Sequence, residues 1–258
     1  MRLFILFVTI AAAALGEGGR VAAISHRGEH LKHPENTIPA YNAAIDAGAD
    51  FIETDVRTTS GGRLVIMHDG NVDRCTNGHG EVSKMTFDEI RRLDAGVKTG
   101  EKFAGTRVPT FEEVLELARG RVKIYVDAKN VAAAPLIAAI EQYGMEDNVV
   151  VYGSFALLQD IYARRPRIKV MPESVSGVVI RKLIEALQPK VIAFSGRDFT
   201  PEIVGIAKGA GADVFVDRQG STDLPAAWQE AIDLGATGIQ TDRPRELVEY
   251  LRSRGYHK

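Results

Sequence analysis

Residue types suited to acid–base, metal and phosphate chemistry follow three short apolar segments of the chain. His26 and Arg27 end the first segment. Glu53 and Asp55 end the second, and His68 ends the third. If these segments were neighbouring parallel strands, their carboxyl ends would bring the five side chains together at one edge. Imidazoles, carboxylates and a guanidinium gathered in this way suit a metal-assisted reaction at a phosphorus atom.

The carboxylates favour a divalent cation. Glu53 and Asp55 are two residues apart, so on a strand their side chains project from the same face. Crowded carboxylates repel each other unless one is protonated or a cation lies between them. Oxygen ligands favour Mg2+ or Ca2+ over zinc. Asp127, after the apolar run 122–126, could supply a third carboxylate, although solvated surface acids would have the same spacing.

Two histidines at strand ends suggest a proton-transfer pair. Near neutral pH, one of His26 and His68 could deprotonate an attacking hydroxyl or water while the other protonates the leaving alkoxide. Arg27 offers a planar fork to phosphate oxygens. Lys129, two residues after Asp127, could supply another positive charge. Either basic residue could instead form a salt bridge with a neighbouring acid.

Short apolar runs alternate with helical patterns from residue 21 onward. The strand-like runs are residues 21–25, 50–56, 64–68, 122–127, 149–152, 168–171, 191–194, 213–216 and 238–240. Strands that alternate with helices pair in parallel, because each crossover needs a covering helix. About eight such units indicate a (β/α)8 TIM barrel. The interval 69–108 lacks a clear strand–helix unit, so we predict an insertion there that covers part of the barrel mouth.

Composition narrows the class of protein. The 258 residues are 45% hydrophobic and 26% charged, as in ordinary globular domains. A formal net charge of −2 gives no broad basic excess for nucleic acid. The single cysteine, Cys75, excludes an internal disulfide and a CxxC metal site. No glycine-rich nucleotide fingerprint follows the strand-like runs, which weakens a doubly wound alternative.

The first residues are typical of an export signal. Arg2 precedes a short apolar stretch and four alanines, and Ala14-Leu15-Gly16 has the small-x-small form of a cleavage site. The apolar stretch is shorter than the ~20 residues that span a bilayer. We therefore predict a signal peptide over 1–16 and one barrel domain over 17–258, exported to the periplasm or medium without stable membrane insertion. An uncleaved anchor or a buried first helix is the alternative.

The motifs resemble those of the glycerophosphodiester phosphodiesterases. The resemblance rests on His26-Arg27-Gly28, Pro34-Glu35-Asn36-Thr37, Glu53-x-Asp55, His68-Asp69, Asp73-Arg74-x-Thr76-Asn77-Gly78, Pro109-Thr110, Asp127-x-Lys129, Ser154-Phe155 and Thr241-Asp242-x-Pro244. It implies a TIM barrel that hydrolyses small-molecule glycerophosphodiesters to sn-glycerol 3-phosphate and an alcohol.

The same resemblance implies a role for each candidate residue. The roles are acid–base catalysis for His26 and His68, binding of one Mg2+ or Ca2+ ion for Glu53, Asp55 and Asp127, and phosphate contact for Arg27 and Lys129. The inserted segment after His68 corresponds to the part that shapes the glycerol pocket in this family.

The chain departs from the family pattern at two places. The third metal carboxylate is usually glutamate, and here it is Asp127, one methylene shorter. The family often has a tryptophan-containing segment after the seventh strand, where this chain reads Val214-Phe215-Val216-Asp217-Arg218-Gln219. Charge replaces a stacking aromatic ring there, so the substrate end could differ.

Three other functions are compatible with the same residues. A related barrel phospholipase D would act on lysophospholipid or sphingomyelin and would need an apolar rim, which Met85, Phe87 and Phe103 could supply. A barrel aldolase would use Lys129 to form a Schiff base. An exported phosphodiester-binding protein without catalysis is the third alternative.

Overall fold

Nine parallel strands form a nearly closed barrel in the computed structural model, which describes residues 19–258. The predicted signal peptide, residues 1–16, lies outside the described residues. In chain order the strands are β1 (Ala22–Ser25), β2 (Phe51–Thr58), β3 (Leu64–Ile66), β4 (Lys123–Asn130), β5 (Val149–Tyr152), β6 (Lys169–Met171), β7 (Glu173–Ser174), β8 (Val191–Phe194), β9 (Asp213–Asp217) and β10 (Gly238–Thr241). All except β3 belong to the barrel.

Helices alternate with the barrel strands, as the apolar pattern predicts. The helices are α1 (Ile38–Ala47), α2 (Phe87–Arg91), α3 (Phe111–Ala118), α4 (Ala133–Gln142), α5 (Phe155–Arg164), α6 (Gly177–Leu187), α7 (Pro201–Gly209), α8 (Pro225–Leu234) and α9 (Pro244–Ser253). Except for α2, each follows one barrel strand. Between residues 19 and 258, no helix is long and apolar enough to cross a bilayer.

A proline explains why eight strand–helix units contain nine strands. The strand order is β6-β5-β4-β2-β1-β10-β9-β8-β7. Strands β6 and β7 are consecutive and are separated by Pro172, which has no N–H to donate to a neighbour. β6 pairs with β5, while β7 pairs with β8. The two short segments together make one barrel position, so the predicted (β/α)8 fold is confirmed.

The predicted parallel strand over 64–68 is wrong. β3 pairs antiparallel with the end of β2, with Val56 opposite Ile66 and Thr58 opposite Leu64. The connection between β2 and β3 is short enough for a hairpin, whereas a parallel partner requires a crossover of a dozen or more residues. The hairpin nevertheless returns the chain to the site, because the Met67 N–H donates to the Asp55 carbonyl at 2.9 Å. His68 therefore follows beside the acidic end of β2.

The predicted insertion forms a small unit with its own apolar core. The buried members of this core are Val65, Met67, Val72, Val82, Ile90, Ala95 and Val108. Met85 and Phe87 pack against it, so these two side chains belong to the insertion rather than to an apolar rim. Phe103 instead packs against His33, with ring centroids 5.3 Å apart.

Candidate active site

The carboxyl ends of the barrel strands surround one polar pocket of about 150 Å3. It is lined by His26, Arg27, Glu53, Asp55, His68, Tyr125, Asp127, Lys129, Tyr152, Glu173, Ala193, Phe194, Asp217, Gln219 and Gln240. All seven residues predicted as site residues are among them. The pocket is smaller than the ~300–1,000 Å3 typical of sites for drug-sized ligands, so it suits a small polar substrate.

Three carboxylates meet at one side of this pocket. Asp55 on β2 is in register with Asp127 on the neighbouring β4, and Glu53 projects from the same face as Asp55. Carboxylate oxygens of the three residues lie within 4.8 Å of one another, and Glu53 and Asp55 are only 2% and 1% exposed. Burial and repulsion by Asp55 and Asp127 raise the pKa of Glu53. A bound cation would relieve this repulsion, so this donor set fits a metal ion.

Lys129 lies against the three carboxylates. Its Nζ donates to Asp127 Oδ2 at 2.6 Å and lies 3.2 Å from Asp55 Oδ1. Burial alone would lower the pKa of Lys129, but the two carboxylates outweigh burial and raise it. The ammonium group therefore stays charged. The salt bridge considered as an alternative for Lys129 is present, and the side chain also faces the pocket.

A strained turn after β1 fixes Arg27. Its backbone N–H donates to Glu53 Oε2 at 2.8 Å, and its Nη1 donates to Glu35 Oε1 at 3.2 Å. Arg27 has φ +53°, a left-handed conformation that costs about 1–2 kcal/mol for a residue other than glycine. Gly28 continues the turn with φ +78°, where a Cβ atom would come within 2.7 Å of the Ala40 backbone. Within residues 19–258, the buried Arg27 Nε has no hydrogen-bond partner.

His26 is held as a neutral base. Its Nδ1 donates to Asp242 Oδ1 at 2.8 Å, which leaves Nε2 without the proton. Burial lowers the pKa of His26, and the nearby Arg27 charge lowers it further, against the opposing effect of the hydrogen bond that His26 donates to Asp242. Burial alone would raise the pKa of Asp242, but hydrogen bonds from His26 and Gly220 bring it down to about 2. The imidazole is therefore ready to accept a proton near neutral pH.

A carboxylate also orients the His68 ring, and here it belongs to the next residue in the chain. Its Nδ1 donates to Asp69 Oδ1 at 2.7 Å, and Arg74 Nε donates to Asp69 Oδ2 at 2.8 Å. Arg57 Nη2 fixes the backbone by donating to the His68 carbonyl at 2.6 Å. The carboxylate on Nδ1 fixes the orientation of the ring. Two imidazoles, each oriented by its own carboxylate, thus line one pocket.

Asn36 orients one of the three clustered acids, a role that the sequence alone did not predict. Its Nδ2 donates to Asp55 Oδ2 at 2.7 Å, and its Oδ1 accepts from the Tyr41 hydroxyl at 2.9 Å. Asn36 has φ +57°, which asparagine adopts more readily than most residues. Thr37 occupies the helix N-cap position without a capping hydrogen bond from its side chain. Asn36 thus orients an acid of the cluster through its side chain.

Glu35 couples the barrel to the insertion. It accepts hydrogen bonds from Arg27 and from both terminal nitrogens of Arg74, the latter at 2.6 and 2.8 Å. Burial alone would raise the pKa of Glu35, but the hydrogen bond from Arg74 and the charges of both arginines lower it to about 2. The residue is thus an anion that positions Arg27.

Comparisons with known proteins agree with this geometry. Residues 26–246 match the sequence model of the glycerophosphoryl diester phosphodiesterase family. A glycerophosphodiester phosphodiesterase of Caldanaerobacter subterraneus is 36% identical over 253 residues, which cover 92% of this chain and 100% of the relative. The crystal structure of the Agrobacterium tumefaciens glycerophosphodiester phosphodiesterase has a TM-score of 0.77 and 31% identity, covering 87% of this chain and 97% of that one.

A further solved structure has the same fold at lower identity. A phosphodiesterase from Oleispira antarctica has a TM-score of 0.82 at 22% identity, covering 90% of this chain and 96% of that one. The fold, the sequence and the polar residues at the strand ends therefore all point to the same family over most of the chain. This chain belongs to the glycerophosphoryl diester phosphodiesterase family and is a phosphoric diester hydrolase.

Proposed function

We propose that this enzyme hydrolyses glycerophosphodiesters to sn-glycerol 3-phosphate and an alcohol by metal-dependent, two-histidine acid–base catalysis. The observation that carries the proposal is the presence of two carboxylate-oriented imidazoles beside three clustered carboxylates in one pocket. The Oleispira antarctica enzyme of the same fold is described in complex with the product sn-glycerol-3-phosphate. That product is consistent with the small, polar pocket of this chain.

Glu53, Asp55 and Asp127 would hold one divalent cation. All three donors are carboxylates, which favours Mg2+ or Ca2+. When bound, the cation would neutralise charge on the nonbridging oxygens of the phosphodiester. Asn36 would keep Asp55 in its orientation through the Nδ2 hydrogen bond.

The basic residues would bind the phosphate. Arg27 lines the pocket, its Nε lies 3.6 Å from Asp55 Oδ2 without a hydrogen-bond partner among residues 19–258, and Glu35 orients its Nη1. Lys129 carries a charge that the neighbouring acids maintain. Charge-assisted hydrogen bonds from these groups would hold the nonbridging oxygens and orient the phosphorus for attack.

The lowered pKa of His26 favours it as the general base. Its Nε2 would take the proton from the nucleophile, which is either water or the glycerol 2-hydroxyl. Attack by the 2-hydroxyl would give a cyclic phosphate, which water then opens to sn-glycerol 3-phosphate. His68, which Asp69 orients, would then donate a proton to the departing alkoxide. His26 thereby gains a positive charge, which Asp242 balances, and His68 becomes neutral.

A panel of glycerophosphodiesters assayed with and without chelator tests this function. Released sn-glycerol 3-phosphate is followed by a coupled dehydrogenase assay. We expect turnover that chelation abolishes and that added Mg2+ or Ca2+ restores. Binding of diesters without turnover under every metal condition would instead support the phosphodiester-binding alternative.

A lysophospholipid substrate is a second candidate, favoured by apolar side chains around the mouth. Large exposed hydrophobic residues lie on segments that follow barrel strands or belong to the insertion: Leu31, Val97, Phe155, Val175, Val178 and Leu224. An apolar rim could hold an acyl chain outside the polar pocket. Faster turnover of lysophosphatidylcholine than of glycerophosphocholine would favour this candidate, and the reverse order would favour the diester.

The aldolase alternative is the weakest of the three. A Schiff base requires a neutral amine, and the raised pKa of Lys129 keeps its amine protonated. Borohydride trapping with carbonyl substrates is expected to leave the mass of the protein unchanged. A covalent adduct on Lys129 would contradict this expectation.

Export remains a proposal that rests on the sequence of residues 1–16. The charged start, apolar stretch and small residues are the features of a cleavable signal. Sequencing the N terminus of protein recovered outside the cytoplasm is expected to show a mature chain that begins after Gly16. An uncleaved chain retained with the cytoplasmic fraction would contradict export.

A further inference from the structure

The pocket has a second acidic side, opposite the three clustered carboxylates. The strand order places β8 across the barrel from β2, with β7 and β9 on either side of β8. Four pocket residues on these strands and on β10 form what we call the far wall: Glu173, Ala193, Asp217 and Gln240. The small side chain of Ala193 leaves open the space between the two acids.

The two far-wall acids lack a basic partner. In the part of the chain that the structure describes, neither Glu173 nor Asp217 forms an ion pair, and the Asp217 carboxylate accepts no hydrogen bond. Arg218 follows Asp217 but donates to the main-chain carbonyls of Asp217 and Ala227. Its guanidinium lies 5.3 Å from the Phe199 ring centroid. The far wall therefore presents two carboxyl groups that no basic side chain among the described residues contacts directly.

The surroundings of Asp217 raise its pKa, although the nearby Arg218 charge lowers it in part. The walls of the barrel mouth desolvate Asp217, and Glu173 and Asp127 repel its charge, so that its pKa rises to about 7. A cation near the far wall would attract the Asp217 carboxylate. This attraction would offset the repulsion by Glu173 and Asp127 and favour ionisation of Asp217.

Gln240 gives a separate indication of a ligand. This residue is 6% exposed and lines the pocket, yet its Oε1 has no hydrogen-bond partner among the described residues. A buried acceptor left unpaired costs about 1–3 kcal/mol. A ligand that presents a donor at the far wall, such as a primary ammonium group, would remove that cost.

Two aromatic rings stand beside the far wall. The Tyr125 and Tyr152 ring centroids are 6.2 Å apart, with planes inclined by 56°, and both residues line the pocket. The Tyr152 hydroxyl donates to Glu173 Oε2 at 2.7 Å, which fixes this acid against the ring. Aromatic faces next to carboxylates are the combination that attracts organic cations such as quaternary ammonium groups.

We propose that the far wall binds a cationic alcohol portion of the substrate, so that the preferred glycerophosphodiesters carry an ammonium group, as in choline or ethanolamine esters. This inference rests on the proposed function and specifies its substrate class. The positive charges of Arg27 and Lys129 lie beside the acidic cluster, where the phosphate would bind. The remaining two acids face the other portion of a bound diester, and an ammonium group would neutralise them as a neutral alcohol could not.

The test compares substrates of different charge. We would measure kcat/KM for glycerophosphocholine, glycerophosphoethanolamine and neutral-headed glycerophosphoglycerol with the wild type, Asp217→Asn and Glu173→Gln. The wild type should prefer the two ammonium substrates. Each substitution should lower that preference about tenfold, the effect of losing about 1.4 kcal/mol of cation binding. Two independent variants keep the test decisive if one of them folds poorly.

Asp213→Asn is the matched control, because Asp213 is an exposed acid at the other end of β9. It should leave the substrate preference unchanged. An equal loss for all three substrates in Asp217→Asn and Glu173→Gln would overturn the proposal, because it would place the glycerol hydroxyls at the far wall. An unchanged preference would overturn it as well. Failure of the proposed function is a separate result, in which the wild type hydrolyses none of the three diesters.

Discussion

At the scale of single residues, replacing either of the two imidazoles is expected to slow turnover. His26→Gln and His68→Gln should each lower kcat by about 10²–10⁴-fold, because each removes one proton transfer. Release of sn-glycerol 3-phosphate measures the loss, and thermal melting checks that folding is retained. His79→Gln is the control, since His79 is largely exposed and pairs only with Asp73. Near-wild-type turnover by both site variants would refute these roles.

Asp242 sets both the tautomer and the basicity of His26. The lowered pKa of His26 predicts that the acidic limb of kcat/KM lies below pH 6.5, because the base is needed in its neutral form. The Asp242 hydrogen bond and charge raise the pKa of His26. Asp242→Asn should therefore move this limb to still lower pH and reduce kcat by about 10²-fold or more through loss of the tautomer. A pH–rate profile for both proteins checks this, and a limb that moves upward would contradict it.

The reacting groups could be predicted from sequence, but their supporting partners could not. Glu53, Asp55 and Asp127 follow apolar runs, and barrel geometry makes strand ends converge. Asn36 and Asp242 act through contacts that only folding creates, since Asp242 lies 216 residues from His26. The backbone strain at Asn36 also depends on the turn in which it sits.

At the scale of elements, the insertion is expected to position His68. Arg74 joins Asp69, the partner of His68, to Glu35 in the loop after β1. Arg74→Ala should lower kcat about tenfold by loosening this link. Because Arg74 is about half exposed, its ion pairs should contribute no more than ~1 kcal/mol to the free energy of unfolding.

Steady-state kinetics and thermal melting together separate the two effects of Arg74→Ala. Arg63→Ala is the control, because Arg63 is also about half exposed and pairs with Glu112, away from the pocket. A large drop in melting temperature with unchanged kcat would show that Arg74 only stabilises the insertion.

The elements themselves could be predicted except where pairing direction mattered and where Pro172 divides one barrel position into β6 and β7. The alternation of apolar runs with helical patterns predicts the barrel strands, because each connection between parallel strands contains a helix. The apolar run 64–68 has the same composition as a barrel strand, and its antiparallel pairing follows from the short connection after β2. Likewise, apolar composition alone could not predict whether Met85 and Phe87 pack inside the insertion or line the mouth.

At the scale of the whole molecule, a divalent cation should stabilise the folded state. Three carboxylates that repel each other are brought together only in the folded chain, so the cation binds the folded chain in preference to the unfolded one. At 100 times its Kd, such a ligand contributes about 2.7 kcal/mol to the free energy of unfolding. Mg2+ or Ca2+ should therefore raise the melting temperature by about 5–10 °C.

Asp127→Asn provides the matched test of this coupling. In chelator it should melt no lower than the wild type, because one repelling charge has been removed. It should also lose most of the rise in melting temperature that the cation causes in the wild type. Because the pKa of Glu53 is raised, the cation must displace a proton, so the rise should shrink as the pH falls. If added cation leaves the melting temperature of the wild type unchanged, the metal assignment is contradicted.

The central claim is that imidazoles and acids from separate strands meet around one cation and one phosphate. Crystals grown with Mn2+ and sn-glycerol 3-phosphate, measured at the manganese absorption edge, test it most directly. We predict one anomalous peak within coordination distance of Glu53, Asp55 and Asp127, with the phosphate in contact with Arg27 and Lys129. A peak between His26, His30 and Asp242, the other group of potential ligands among residues 19–258, or a phosphate bound outside this pocket, would contradict it.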